Sequence, residues 1–184
     1  MILAIDPSNK TGWCTSDGNV GLLDLTPKPA TKGKPAKPAK YHKRTGALLR
    51  EAVPAVPGRL PESDTDRLWK LWRFMSQYAT EAKWVAHEAP LRHHASQQAS
   101  KCAHELQATI KLWCMVHRVY RLSIEPLELQ RFVLGKKADA EANEMLHAAR
   151  SRLGFTGTDD NIADALWVME WAKALMAQQE ARNP

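Results

Sequence analysis

The sequence predicts a layered α/β fold built on one sheet of mixed strand direction, and three observations carry that expectation. Three short strand patterns lie within the first 26 residues, separated by tight turns. Two more apolar strand patterns, at 83–88 and 119–124, are set apart by long helical patterns, and the chain closes in helices. Strands joined by hairpins pair antiparallel, whereas strands joined through helices pair in parallel, so one sheet holds both kinds. At 184 residues, with 44% hydrophobic residues, the chain is expected to be a single domain over 1–184 with a sizeable core.

The elements follow in order. Met1-Ile2-Leu3-Ala4-Ile5 is an apolar run closed by Asp6 and the turn residues Pro7-Ser8-Asn9. Thr11–Ser16 is the second strand, and Asp17-Gly18-Asn19 is a hairpin signal leading into Val20–Leu25. The composition then shifts. Lys28, Lys32, Lys34, Lys37, Lys40, Lys43 and Arg44 occur with no acid among them, interrupted by Pro29, Pro35 and Pro38. The stretch 28–44 is expected to be a mobile loop, either a solvated linker or an arm that neutralises phosphates, and it opens a basic, Pro-rich insertion at about 28–60. No internal repeat is read. Ser63-Asp64-Thr65-Asp66 is a helix start with acids in the first turn, and Leu68, Leu71, Trp72, Met75 and Ala79 give an apolar face to about Thr80. Lys83–Glu88 is a buried strand ending in an acid. A long helix over 95–117 carries Leu106, Ile110, Trp113 and Cys114, and Val119–Ile124 is a further strand ended by Glu125-Pro126. Helical patterns return at 127–134, 139–153 and 161–178. Trp72, Trp113 and Trp167 fall on helical faces and are core candidates.

Charge and cysteine usage narrow the function classes. A net charge of +6 suggests a polyanionic partner. No apolar stretch approaches the roughly 20 residues that cross a bilayer, so no membrane partner is expected. The N-terminal run lacks a preceding charged segment, so a signal peptide is not expected. Cys14, Cys102 and Cys114 have no zinc-ligand spacing and read as reduced thiols of a cytoplasmic protein.

The chemistry lies in the acids. Asp6 ends the first strand and Glu88 ends the fourth; if those strands are parallel neighbours, both carboxylates emerge at one edge. Asp160 and Asp164 are four residues apart and share a helix face, with Ala163 and Ala165 small enough to permit close approach. Asp159 is either a further ligand or the helix N-cap. Singly, Asp6 and Glu88 read equally as strand-end residues. Together the acids match the need of two-metal phosphodiester hydrolysis for several carboxylates, and hard oxygen donors suit Mg²⁺.

With those residues in view, the chain resembles the RuvC-type Holliday junction resolvases (crossover junction endodeoxyribonucleases), as a phage-type member. The resemblance rests on Ile5-Asp6-Pro7-Ser8-x-x-Thr11-Gly12, the strand-end Glu88, the run from Asp160 to Asp164-Ala165-Leu166, and Gly135-Lys136-Lys137-Ala138-Asp139. It implies an RNase H-like fold: a three-strand antiparallel meander extended by parallel strands, with helices on both faces. It also implies a homodimer that nicks two opposed strands of a four-way or related branched DNA junction, leaving 5′-phosphates. Asp6, Glu88, Asp160 and Asp164 would be the catalytic metal ligands for two Mg²⁺ ions, with Mn²⁺ substituting and no nucleotide cofactor.

Three positions depart from the cellular pattern. Ser8 stands where cellular members tend to have Gly, and Asn161 where they place an acid or His. Leu91 replaces an aromatic, which implies relaxed sequence choice. Lys10, Arg92, Lys136 and Lys137 are the candidate DNA contacts; His93 and His94 read as a solvated helix start. The 95–117 helix is the expected dimer contact. The rivals are an RNase H-like nuclease on RNA–DNA hybrid or flap, a non-catalytic junction-binding module, and a sugar-kinase-like fold, for which 184 residues is short.

Overall fold

The computed structural model describes residues 1–38, 40–41, 48–90, 96–135 and 142–182. These form two compact units, one of Met1–Thr26 with Arg67–Pro184 and one of Pro27–Asp66.

The first unit opens with β1 (Ile2–Asp6), β2 (Lys10–Thr15) and β3 (Val20–Asp24), an antiparallel meander. Gly18, at φ 98°, makes the turn between β2 and β3, a conformation that suits a residue without a Cβ. The second unit contains β4 (Lys40–Tyr41) and β5 (Leu48–Arg50). Helix α1 (Asp64–Ser76) begins at a capping box. The Ser63 N–H and hydroxyl donate to Asp66 at 2.7 and 2.8 Å, and the Asp66 N–H approaches the Ser63 hydroxyl at 3.3 Å. Then come β6 (Trp84–Glu88), α2 (Gln97–His117), β7 (Tyr120–Ile124), α3 (Pro126–Leu134), α4 (Ala142–Leu153) and α5 (Asp160–Arg182). Each expected strand and helix has a counterpart within a few residues of its expected ends.

The five-stranded sheet has the order β3-β2-β1-β6-β7, and β1, β6 and β7 run parallel. β1 and β6 are almost wholly buried, as continuous apolar runs in covered parallel strands should be. Alternate residues of β1 feed two separate cores. Leu3 and Ile5 pack with Leu71, Met75, Leu106, Ile110 and Trp113 from α1 and α2. Ile2 and Ala4 pack with Ala149, Ala163, Trp167, Val168 and Ala172 from α4 and α5. Both buried tryptophans satisfy their indole N–H: Trp113 donates to Ser76 Oγ at 3.1 Å, and Trp167 to the Met145 carbonyl at 3.1 Å.

The second unit is backbone-paired where a loop is expected, and it carries a repeat where none is read. Backbone bonds pair Glu62 with Lys28, Thr31 with Arg59, Lys34 with Val56, and Lys37 with Val53, at 2.8–3.0 Å; β4 and β5 continue the series by pairing Lys40 with Arg50. The rungs recur every third residue on both chains. Pro29, Pro35, Pro38, Pro54, Pro57 and Pro61 all lie between rungs, so no rung loses its N–H. A period of three is that of the extended polyproline II conformation that proline favours. The recurring Lys-Pro-Ala triplets, with Val53-Pro54-Ala55 and Val56-Pro57-Gly58 opposite, are therefore a repeat with a structural meaning. Gly33 and Gly58 sit where the two backbones come closest: a Cβ on Gly33 would lie 2.8 Å from Gly58 N, and one on Gly58 2.7 Å from the Thr31 carbonyl oxygen.

Candidate active site

The site is assembled by strand register. β1 and β6 pair from Ile2↔Trp84 to Ile5↔His87, so Asp6 and Glu88 occupy the next step at the same edge of the sheet. They line a cleft of about 190 Å³ with Pro7, Ser8, Ala89, Pro90 and Ala103. On the other side of β1, Asp6 pairs with Gly12 of β2. Gly12 is where α5 docks: a Cβ there would fall 1.9 Å from the Asn161 carbonyl oxygen. Only a residue without a side chain lets the start of α5 lie against β2, and that brings Asp160 and Asp164 towards Asp6.

Asp159 caps α5. Its Oδ1 accepts the backbone N–H of Asn161 at 3.1 Å and of Ile162 at 3.4 Å. Asp160, in the first turn, is exposed, and its Oδ1 accepts from the Asn161 backbone N–H and side-chain amide at 3.1 and 3.2 Å. Asp164 is half-buried between the fully buried Ala163 and Ala165. The positions of Ser8 and Asn161, both departures from the cellular pattern, touch each other. The Ser8 hydroxyl lies 3.1 Å from Asn161 Oδ1 and 2.9 Å from the Lys10 carbonyl, and its single proton serves one at a time.

Electrostatics shows these acids acting on one another. Burial, then Glu88, Asp164, Asp160 and Asp159 in that order, hold the Asp6 carboxyl well above the ordinary carboxylate range. Burial and then Asp164 push Glu88 up to about 8, and burial and then Asp160 push Asp164 up to about 7. Like charges this close resist joint ionisation unless a cation arrives. The donors are all carboxylate oxygens, which fits Mg²⁺ or Mn²⁺ and not a soft metal. As placed, no three His, Cys, Asp or Glu among the described residues form a ready-made ligand cage.

Of the expected DNA contacts, Lys10 is exposed at the start of β2, beside the Asp6 turn. Arg92, Lys136 and Lys137 lie outside the described residues, as do Leu91, His93 and His94. One pair was not anticipated. His87 is fully buried next to Glu88; its Nδ1 lies 2.9 Å from the Glu88 carbonyl oxygen and its Nε2 3.1 Å from Arg121 Nη1. Arg121 can only donate, so Nε2 accepts and Nδ1–H donates to Glu88. Burial pushes the His87 pKa down to about 4, which fits a neutral ring fixing the strand end. A histidine inside an apolar strand, one step before an acid, was the available signal.

An antiparallel meander extended by parallel strands, with helices on both faces and acids at the strand ends, is the RNase H-like class of α/β fold. Among solved structures the chain is similar to Thermus thermophilus RuvC. The match to that protein in complex with a Holliday junction substrate has a TM-score of 0.55 and 16% identity, over 91% of this chain and 88% of that one. The match to a second Thermus thermophilus RuvC structure has a TM-score of 0.54 and 17% identity, over 91% and 89%. No protein-family model and no curated protein sequence matches the chain.

Proposed function

We propose that this protein is a divalent-metal-dependent endodeoxyribonuclease of the phage-type resolvase kind, cutting four-way and related branched DNA junctions in the cytoplasm of a bacterium or infected host. The observation that carries the proposal is the meeting of Asp6 and Glu88, at adjacent parallel strand ends, with the α5 acids docked through Gly12. The likeness in fold to a RuvC bound to a Holliday junction supports the choice of substrate.

Asp6, Glu88, Asp160 and Asp164 would hold two Mg²⁺ ions, or Mn²⁺ in their place. When bound, such a pair supplies an activated water and neutralises charge at the leaving oxygen. Asp6 feels all the other acids and is the natural shared ligand. Glu88 and Asp164, held up at about 8 and about 7, would give up protons on binding cations. Asp159 keeps α5 capped and so fixes where Asp160 and Asp164 stand. His87 holds the Glu88 backbone through its Nδ1–H. Lys10, Arg92, Lys136 and Lys137 bind phosphates and fix the DNA without reading its sequence. Paired nicks need two active sites, and α2 offers a surface for a homodimer: Leu112, Met115 and Val116 are 54%, 67% and 59% exposed.

The test is cleavage of a four-way junction, a linear duplex and an RNA–DNA hybrid, with and without Mg²⁺, by wild type and Asp6→Asn. Junction cleavage that needs both Mg²⁺ and Asp6 is expected. Cleavage confined to the hybrid, or indifferent to Asp6→Asn, contradicts the proposal.

A further inference from the structure

The charge of this chain is unevenly distributed. Residues 27–60 contain nine of its 26 Lys and Arg but only one of its 20 acids, Glu51. That stretch is +8; the whole unit Pro27–Asp66, with Glu62, Asp64 and Asp66 added, is +5, which leaves the larger sheet unit at only +1 of the chain's +6. The excess positive charge seen in composition is thus concentrated in the proline-rich ribbon.

The ribbon's period organises that charge. In a two-residue β repeat, lysines three apart would alternate between faces. In a three-residue repeat, Lys28, Lys34 and Lys37 occupy equivalent rungs and share one face, with successive rungs about 9 Å apart. A DNA strand carries one phosphate per about 3.4 Å of helix rise, so lysines spaced along one face on flexible stems can each meet a separate phosphate. The partners across the rungs add no compensation: Val56 lies opposite Lys34 and Val53 opposite Lys37. The acidic rung residue, Glu62, is already engaged by the Lys28 N–H at 2.9 Å and by Arg59 at 3.7 Å. No ion pair among the described residues involves Lys32, Lys34 or Lys37.

We infer that the 28–62 ribbon is a sequence-independent clamp for the phosphate backbone of duplex DNA, its lysines aligned by the triplet repeat. The inference deepens the DNA-nuclease reading and rests on it for the choice of polyanion, but it is tested by binding and not by cleavage. The variants are made in the full chain: Lys28, Lys34, Lys37 and Lys40 all to Gln, and separately Gly33→Val with Gly58→Val. The second variant keeps every charge while forcing the two backbones apart. Binding to a labelled linear DNA duplex is followed against salt concentration, without divalent cation.

The Gln variant should lower the slope of log Kd against log salt by about 3 and weaken binding at least about tenfold at roughly 0.1 M salt. The Gly variant should also lose slope, because alignment and not charge alone is what it removes. A wild-type slope in the Gln variant overturns the inference. A wild-type slope in the Gly variant overturns the role of the triplet geometry, and a larger effect on double-stranded RNA than on DNA overturns the choice of partner. Absence of junction cleavage by the wild type counts only against the nuclease reading, since the slope is measured without it.

Discussion

Between Pro27 and Asp66 no described side chain is fully buried, whereas the unit around the five-stranded sheet buries apolar residues on both faces of β1. The sheet unit derives its stability from removing apolar surface from water. The ribbon relies on backbone pairing and on prolines that limit the freedom of its unfolded chain. The charges are split the same way, with crowded acids at the sheet edge and aligned bases along the ribbon. A packed core can hold like charges together against their repulsion, so it suits a site that needs cations. A ribbon without a core cannot bury a charge at all, and its bases stay in solvent, where a polyanion can reach them. The comparison teaches that where a chain places its charge depends on what holds that part of the fold together.

The strongest way to test the contrast is at the acids. Asp6→Asn should lower junction cleavage by at least about 10³-fold, as expected when a ligand shared by both cations is lost. It should leave the metal-free protein as stable or more so, because it removes a carboxyl held among like charges; thermal melting checks that second half. Glycine substitutions sharpen the contrast next. Gly12→Val should destabilise the sheet unit by about 3 kcal/mol or more, since α5 must leave β2 and the adjoining core. Gly33→Val should leave that melting transition unchanged, because no buried residue of the sheet unit belongs to the ribbon.

A pH effect follows. Glu88 and Asp164, held at about 8 and 7, bind protons in the folded state that the unfolded chain has released. Their contribution to stability is therefore full below about pH 4 and is lost as pH rises through 7 to 8. Denaturant melts without metal should show stability falling from about pH 5 to 8, and Mg²⁺ should reverse the loss by binding only the folded state. Asp164→Asn should flatten the curve. The smallest effect is expected at Ser8→Ala, about 1 kcal/mol or less, because its hydroxyl supplies one hydrogen bond near solvent.

Much of the sheet unit was legible because its patterns have familiar periods. β1 and β6 read as apolar runs ending in acids, and the Leu68-Leu71-Trp72-Met75 face reads as a helix. The acids at the site were legible for the same reason, since Asp6 and Glu88 are each one step past an apolar strand. Gly12 was noticed as part of a motif, but its contact with Asn161 depends on residues about 150 positions apart, which no local pattern encodes. His87 was passed over because a strand histidine looks like any half-buried polar residue until Arg121 is placed beside it. The ribbon is not legible from local pattern because prolines and lysines are common in loops, and its period is neither the two of a strand nor the 3.6 of a helix. Its Lys-Pro-Ala triplets recur in the sequence, but the reason for them lies in rungs pairing residues up to 34 positions apart.

The central claim is that the carboxylates gathered at the Asp6 edge form one cation site. Calorimetric titration of Mn²⁺ into metal-free wild type and Asp6→Asn at about pH 8, with circular dichroism to confirm folding, tests it most directly. The account predicts about two ions bound per chain by wild type, with proton release, and that binding largely abolished in Asp6→Asn. Binding of unchanged stoichiometry and affinity in a folded Asp6→Asn protein would contradict it.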